Sequence, residues 1–213
     1  MKLALVETMH LGQTATYLAE LFNRPEPTLQ MLARLLRDAP EQWVKKGGRG
    51  RSAHHLTNVE LSNFLIAYMA CPDSPALAIE RLPHFSSLQL QSETGHKATF
   101  GEAFALLLAR LAGEKWTSAR EKSWKVIIGI DMSTASICED FEDGDEIRTV
   151  DHVFFPDFDA DDDNAGQTLF PFYSGLGTTV QIDWFPLVRI AKVILAGEPD
   201  PHTELMREIR EGL

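Results

Sequence analysis

Apolar positions recur at helical spacing in the first third of the chain and at strand-like density in its later part. Ala15, Leu18, Ala19 and Phe22 fall on one face of a helix expected over 14–23. Arg24-Pro25-Glu26-Pro27 stops it, because proline lacks a donor and disfavours helix in the residue before it. Thr28 is placed to cap a second helix, Leu29 to Ala39, which ends at Pro40. Its inward face is Leu29, Leu32, Ala33 and Leu36. Its outward face is Gln30, Arg34 and Arg37, with Met31 at the edge. A capping box, Thr57-Asn58-Val59-Glu60, opens a third helix through Ala70, apolar enough to pack as a core or dimer helix.

From Pro72 to Thr99, three prolines and a polar run over 89–97 read as a connector with at most a short helix. A second capping box, Thr99-Phe100-Gly101-Glu102, opens a helix to Ala112, with Gly113 as its stop. The β-branched run Trp124 to Ile130 predicts a strand. Ser133 to Cys138 and Glu146 to Phe155 add two more strands, with Gly144 in the turn between them. Thr178 to Ile182 adds a fourth. A helix follows over 183–196, capped by Asp183 and ended by Gly197, and 202–211 forms a last amphipathic helix. The expected fold is α+β: an amino-terminal helical head over 1–75, a connector over 76–98, and a small antiparallel-sheet domain with helices on one face over 99–213.

Between the second and third helices lies Trp43-Val44-Lys45-Lys46-Gly47-Gly48-Arg49-Gly50-Arg51-Ser52-Ala53-His54-His55-Leu56-Thr57. Two short segments able to pair as strands flank a tip made of Lys, Arg and Gly. Glycine permits a tight turn and a close approach to a surface, and cations on such a tip suit phosphates or a narrow groove. Arg and Gln on the exposed face of the preceding helix match guanine and adenine edges in a major groove. Helix, Arg-bearing helix, basic wing and apolar helix together resemble winged helix-turn-helix DNA-binding proteins of proteobacterial prophages and mobile elements. The likeness covers about residues 10–72. It implies a transcriptional regulator that contacts duplex DNA through Thr28, Gln30, Arg34, Arg37, Lys45, Lys46, Arg49 and Arg51. The Arg24-Pro25-Glu26-Pro27 turn is stiffer than the pattern has and puts Glu26 near any phosphate. A homodimer is expected, because one winged helix offers little contact area and paired half-sites raise specificity. The 59–70 and 183–196 helices are its candidate surfaces.

Charge alters the picture without reversing it. The net charge is −11, yet residues 139–163 hold twelve acids against one cation, Arg148, and the remaining 188 residues balance. Residues 24–51 carry seven cations and three acids. A polyanion responds to the local field more than to the total. The acidic stretch has two runs, one over 139–146 at a hairpin turn and one over 157–164 in a loop. The second begins like a calcium loop but places Asp162 where glycine is needed and Thr168 where a bidentate Glu is needed. Its alternative use is to dock a basic protein through Asp157, Asp159, Asp161, Asp162 and Asp163. The chain would then be a non-enzymatic inhibitor of a host nucleic-acid machine.

Catalytic and cofactor signals are weak. The chain has no GxSxG, HExxH or Walker loop, and Gly175-Leu176-Gly177 lacks a third glycine and a following helix. Cys71 and Cys138 stand far apart, with neither a CxxC spacing nor a basic neighbour. The expectation is no enzyme, no metal and no cofactor. No apolar run reaches the ~20 residues of a membrane span, and the first residues turn polar too soon for a secretory signal. A reducing cytoplasm is the expected setting.

Overall fold

A computed structural model describes residues 9–47, 54–90, 97–114, 122–130, 133–143, 146–156, 178–203 and 206. Helix α1 (Leu11–Leu21) starts three residues earlier than its periodicity suggests. The reason is His10, whose ring accepts from the Gln13 amide while the Gln13 side chain accepts from the His10 amide, a capping box built on histidine. Helix α2 (Glu26–Asp38) also starts early, with Pro25 as its cap and Pro27 in its first turn, where a missing N–H costs nothing. Thr28 therefore lies inside the helix and does not cap it.

Helix α3 (Asn58–Ala70) forms where its capping box places it, and every residue from Glu60 to Ala70 is buried. It is the central helix of the core and offers no face to a second copy, which removes one of the two expected dimer surfaces. The supposed connector holds a twelve-residue helix, α4 (Pro75–Ser86), and a two-residue strand, β1 (Gln89–Leu90). Buried Ala78, Leu82 and Phe85 bring α4 into the core. Its internal Pro83 masks the helical signal in the sequence. Helix α5 (Phe100–Gly113) keeps its capping box, with Gly113 as the last helical residue rather than a left-handed cap.

Strands β2 (Lys122–Gly129), β3 (Thr134–Asp143), β4 (Glu146–Phe155) and β5 (Thr179–Ile182) complete a five-stranded antiparallel sheet in the order β1-β4-β3-β2-β5. Its inner face packs Trp124, Val126, Ile128, Ala135, Ile137, Phe154 and Ile182 against the helices. β3 is longer than expected: Glu139 to Asp143, read as turn, are paired strand residues, in register with Val150 to Glu146. The β3–β4 ladder thus runs out to Asp143 and Glu146, and β2 flanks β3 as far as Phe141.

Helix α6 (Trp184–Ile190) continues as a π-helical turn, Ala191–Ala196, ended by Gly197 in the left-handed region at φ 64°. The Asp183 side chain makes no capping hydrogen bond. Leu187, Val188, Ile190, Ala191, Lys192, Val193 and Ile194 are all buried, so the second expected dimer surface is mostly spent inside the protomer. Of the expected tail helix over 202–211, only His202, Thr203 and Met206 fall among the described residues. One continuous set of buried apolar side chains runs from Ala15 to Ile194.

Candidate nucleic-acid interface

The expected contacts fall on the exposed face of α2 and on the stem of the basic loop that follows it. Arg34 is exposed and Arg37 half-exposed, on the side of α2 opposite Leu29, Leu32 and Leu36. The Arg37 guanidinium forks onto Asp38, with Nε 3.0 Å from Oδ1 and Nη2 3.3 Å from Oδ2. Hydrogen bonding from Arg37, with Lys46 and Arg34 also in electrostatic range, holds the Asp38 carboxyl below its ordinary value. Asp38 is thus paired with its neighbour Arg37, while Arg34, one helical turn earlier, and Lys46, in the loop stem, act on it electrostatically. Lys45 and Lys46 are both exposed. Arg49 and Arg51, at the tip, lie outside the described residues.

The stem of that loop is held by a residue that sequence reading assigned only to a cap. Glu60 Oε1 accepts from the Lys45 amide at 2.8 Å, and Oε2 accepts from the Thr57 amide and hydroxyl at 2.8 and 2.9 Å. His54 Nε2 lies 2.7 Å from Oε2. Burial alone would raise this carboxyl, but the Lys45 and Thr57 amides and His54 outweigh it, so its pKa sits below the usual glutamate value. One side chain thus ties Lys45, before the loop, to His54 and Thr57, after it. Gly47 and His54 approach so closely that a Cβ on Gly47 would overlap the His54 backbone nitrogen. Among the described residues the two arms are not paired with each other as strands. Instead His55 bridges antiparallel to His10, ahead of α1.

One expected base reader is used otherwise. Gln30 Nε2 donates to the Gly12 carbonyl and to Thr16 Oγ1, both at 3.0 Å, and so cements α2 to α1. Thr16 in turn donates to Glu26 at 2.7 Å, which holds that carboxylate against α1. Arg24 belongs to a separate tether, with Nε 3.3 Å from Tyr68 Oη and Nη1 3.0 Å from Asp73. Tyr68 stacks on Phe22 with centroids 4.8 Å apart.

Away from this surface, Asp200 gathers Arg189 as a fork (2.8 Å from Nε to Oδ1, 2.6 Å from Nη2 to Oδ2), the Tyr17 hydroxyl at 3.2 Å and the His202 amide at 2.9 Å. The buried Lys192 ammonium reaches the Ala112 carbonyl at 3.1 Å and Glu198 at 3.2 Å. Both clusters join distant parts of the chain. Burial and hydrogen bonding to Asp151 push the Cys138 thiol up to about 11, so it is not an activated nucleophile. A shallow concavity of about 140 Å³ on the outer face of the sheet is lined by Ile127, Ser136, Asp151, Val153 and neighbours, none from the basic surface. Among the described residues no group of His, Cys, Asp and Glu is arranged to hold a metal ion, and no helix is long and apolar enough to cross a membrane. Asp157, Asp159, Asp161, Asp162 and Asp163 lie outside the described residues. No family model matches the chain, and neither a curated protein nor a solved structure matches it.

Proposed function

We propose that the chain binds duplex DNA as a transcriptional regulator, through the exposed face of α2 and the basic loop that follows it. The observation that carries the reading is the exposed Arg34 and half-exposed Arg37 on the outer face of α2, followed in the loop stem by the exposed Lys45 and Lys46. A helix face and a loop stem then present cations to one phosphate backbone, the arrangement a winged helix uses. The Arg37–Asp38 pair is exposed and worth little by itself, so Arg37 is readily given up to a phosphate. Glu60 holds the stem rigid, which lowers the ordering cost of binding. Gln30 serves the α1–α2 joint and not base recognition.

The test is selection of purified protein on a random duplex library across a salt series, followed by titration of variants on the recovered sequence. Arg34→Ala is expected to cost about 1–3 kcal/mol and relax preference at one base position, as for an arginine on a guanine edge. Lys46→Ala is expected to weaken all sequences alike and to lower the salt slope by about one. Gln30→Ala is expected to lower stability while leaving selectivity intact. Recovery of no motif, with binding lost equally to every sequence in both charge variants, would overturn sequence-specific regulation.

A further inference from the structure

Helix α5 exposes a leucine at the centre of its outer face. Leu106 is 69% exposed, on a stripe that also shows Glu102, Ala109 and Arg110 to solvent. A second exposed apolar residue, Val59 at 55%, stands in the first turn of α3, just ahead of its buried run. The two helices meet there. Asn58 Nδ2 donates to the Ala105 carbonyl at 3.1 Å, and Ser62 Oγ donates to the Gly101 carbonyl at 3.2 Å. Val59 and Leu106 thus each follow a residue of one inter-helix hydrogen bond. Single exposed apolar side chains are ordinary on a protein surface, but two flanking one contact point to a patch.

The charges on that face select its partner. Residues 97–114 hold two cations and two acids, in the order Lys97, Glu102, Arg110, Glu114. Glu102 precedes Leu106 by four residues and Arg110 follows it by four, so each lies one turn from it on the same stripe. Turned about a two-fold axis through Leu106, the order repeats with its signs exchanged, and Glu102 of each copy meets Arg110 of the other. Both groups are already oriented. Glu102 Oε2 accepts from the Thr99 amide and hydroxyl at 3.0 and 2.9 Å. Arg110 Nε lies 2.7 Å from Glu114, with its guanidinium 5.0 Å from the centre of the Trp124 ring. Little side-chain order is therefore lost on docking. A net charge of −11 opposes self-association in general, but this stretch is neutral. We propose that α5 pairs antiparallel with α5 of a second copy, with Leu106 on Leu106 at the axis, Glu102 against Arg110 on either side, and Val59 at the rim. The proposal does not rest on the DNA-binding reading.

The experiment is sedimentation equilibrium of the full chain over about 1–200 μM, because one helix face is a small interface with dissociation expected on the order of 10 μM. Leu106→Asp is expected to stay monomeric throughout while keeping the urea midpoint of the wild type, since the side chain is exposed. Glu102→Gln keeps the capping box but loses the charge, and is expected to weaken the dimer several-fold. Cross-linking under mild oxidation reads the geometry, with the wild type as background for Cys71 and Cys138. Leu106→Cys, at the two-fold, is expected to link to itself. Glu102→Cys stands about 12 Å along the helix from the same residue of the other copy, at 1.5 Å for each of roughly eight residues. It is expected to link only when mixed with Arg110→Cys. A wild type that stays monomeric over the whole range, or a Leu106→Asp variant that still dimerises, would overturn the α5 interface. Self-linking of Glu102→Cys as fast as that of Leu106→Cys would overturn the antiparallel arrangement.

Discussion

Glu60 shows how much one side chain can organise. It is buried, yet it accepts from two backbone amides, a hydroxyl and an imidazole. Its folded pKa lies below the ordinary glutamate value, so it contributes stability above the unfolded value, and that contribution fades as pH falls through the lower folded value. Glu60→Gln keeps one acceptor oxygen but loses the charge facing His54. It is expected to cost about 1–3 kcal/mol at neutral pH, with the gap to the wild type shrinking below about pH 4.5. Urea unfolding midpoints measured at several pH values check this. A gap that widens on acidification would contradict the sign. The capping-box role was legible in Thr57-Asn58-Val59-Glu60. The hold on Lys45 and His54 was not, because it joins residues whose proximity only the folded loop stem creates.

At the scale of elements, capping boxes and proline stops located α3 and α5 closely, since these signals are local hydrogen-bond arithmetic. Two elements escaped. α4 carries Pro83 near its carboxy terminus, where only the last turn suffers, so the sequence looked like a connector. The carboxy-terminal part of β3 is acidic, and strand pairing with β4 overrode its turn-like composition. The basic loop divides the same way. Its glycines and cations were plain in the sequence, but the described parts of its arms show an approach of Gly47 to His54 and a bridge from His55 to His10 in place of strand pairing. Gly47→Ala must push those arms apart, because the added carbon meets backbone and not a flexible side chain end. DNA affinity is expected to fall several-fold for every sequence, with the urea midpoint changed little. An unchanged affinity would show that stem geometry does not matter to binding.

For the molecule as a whole, the buried apolar set is continuous from Ala15 to Ile194. Tethers reinforce it: the Met9 amide reaches the Ile194 carbonyl at 3.3 Å, Asp200 joins Tyr17 to Arg189, and Lys192 reaches the end of α5. Unfolding is expected to be one cooperative transition, with far-UV circular dichroism and tryptophan fluorescence giving one midpoint. Two separated midpoints would mean that the head and the sheet fold independently.

The sequence by itself determined the helix and strand inventory in outline, the mixed α+β class, and the separation of charge into a basic stretch over 24–51 and an acidic one over 139–163. These follow from periodicity, capping and composition, all read over a few residues. Only the tertiary structure decided that α3 is enclosed, that Gln30 is occupied by α1, that Glu60 ties Lys45 to His54, and that the acidic end of β3 pairs with β4. Each depends on which distant segments meet. A side chain's spare hydrogen-bonding capacity or a strand's pairing is defined by its neighbours in space and not by its neighbours in sequence.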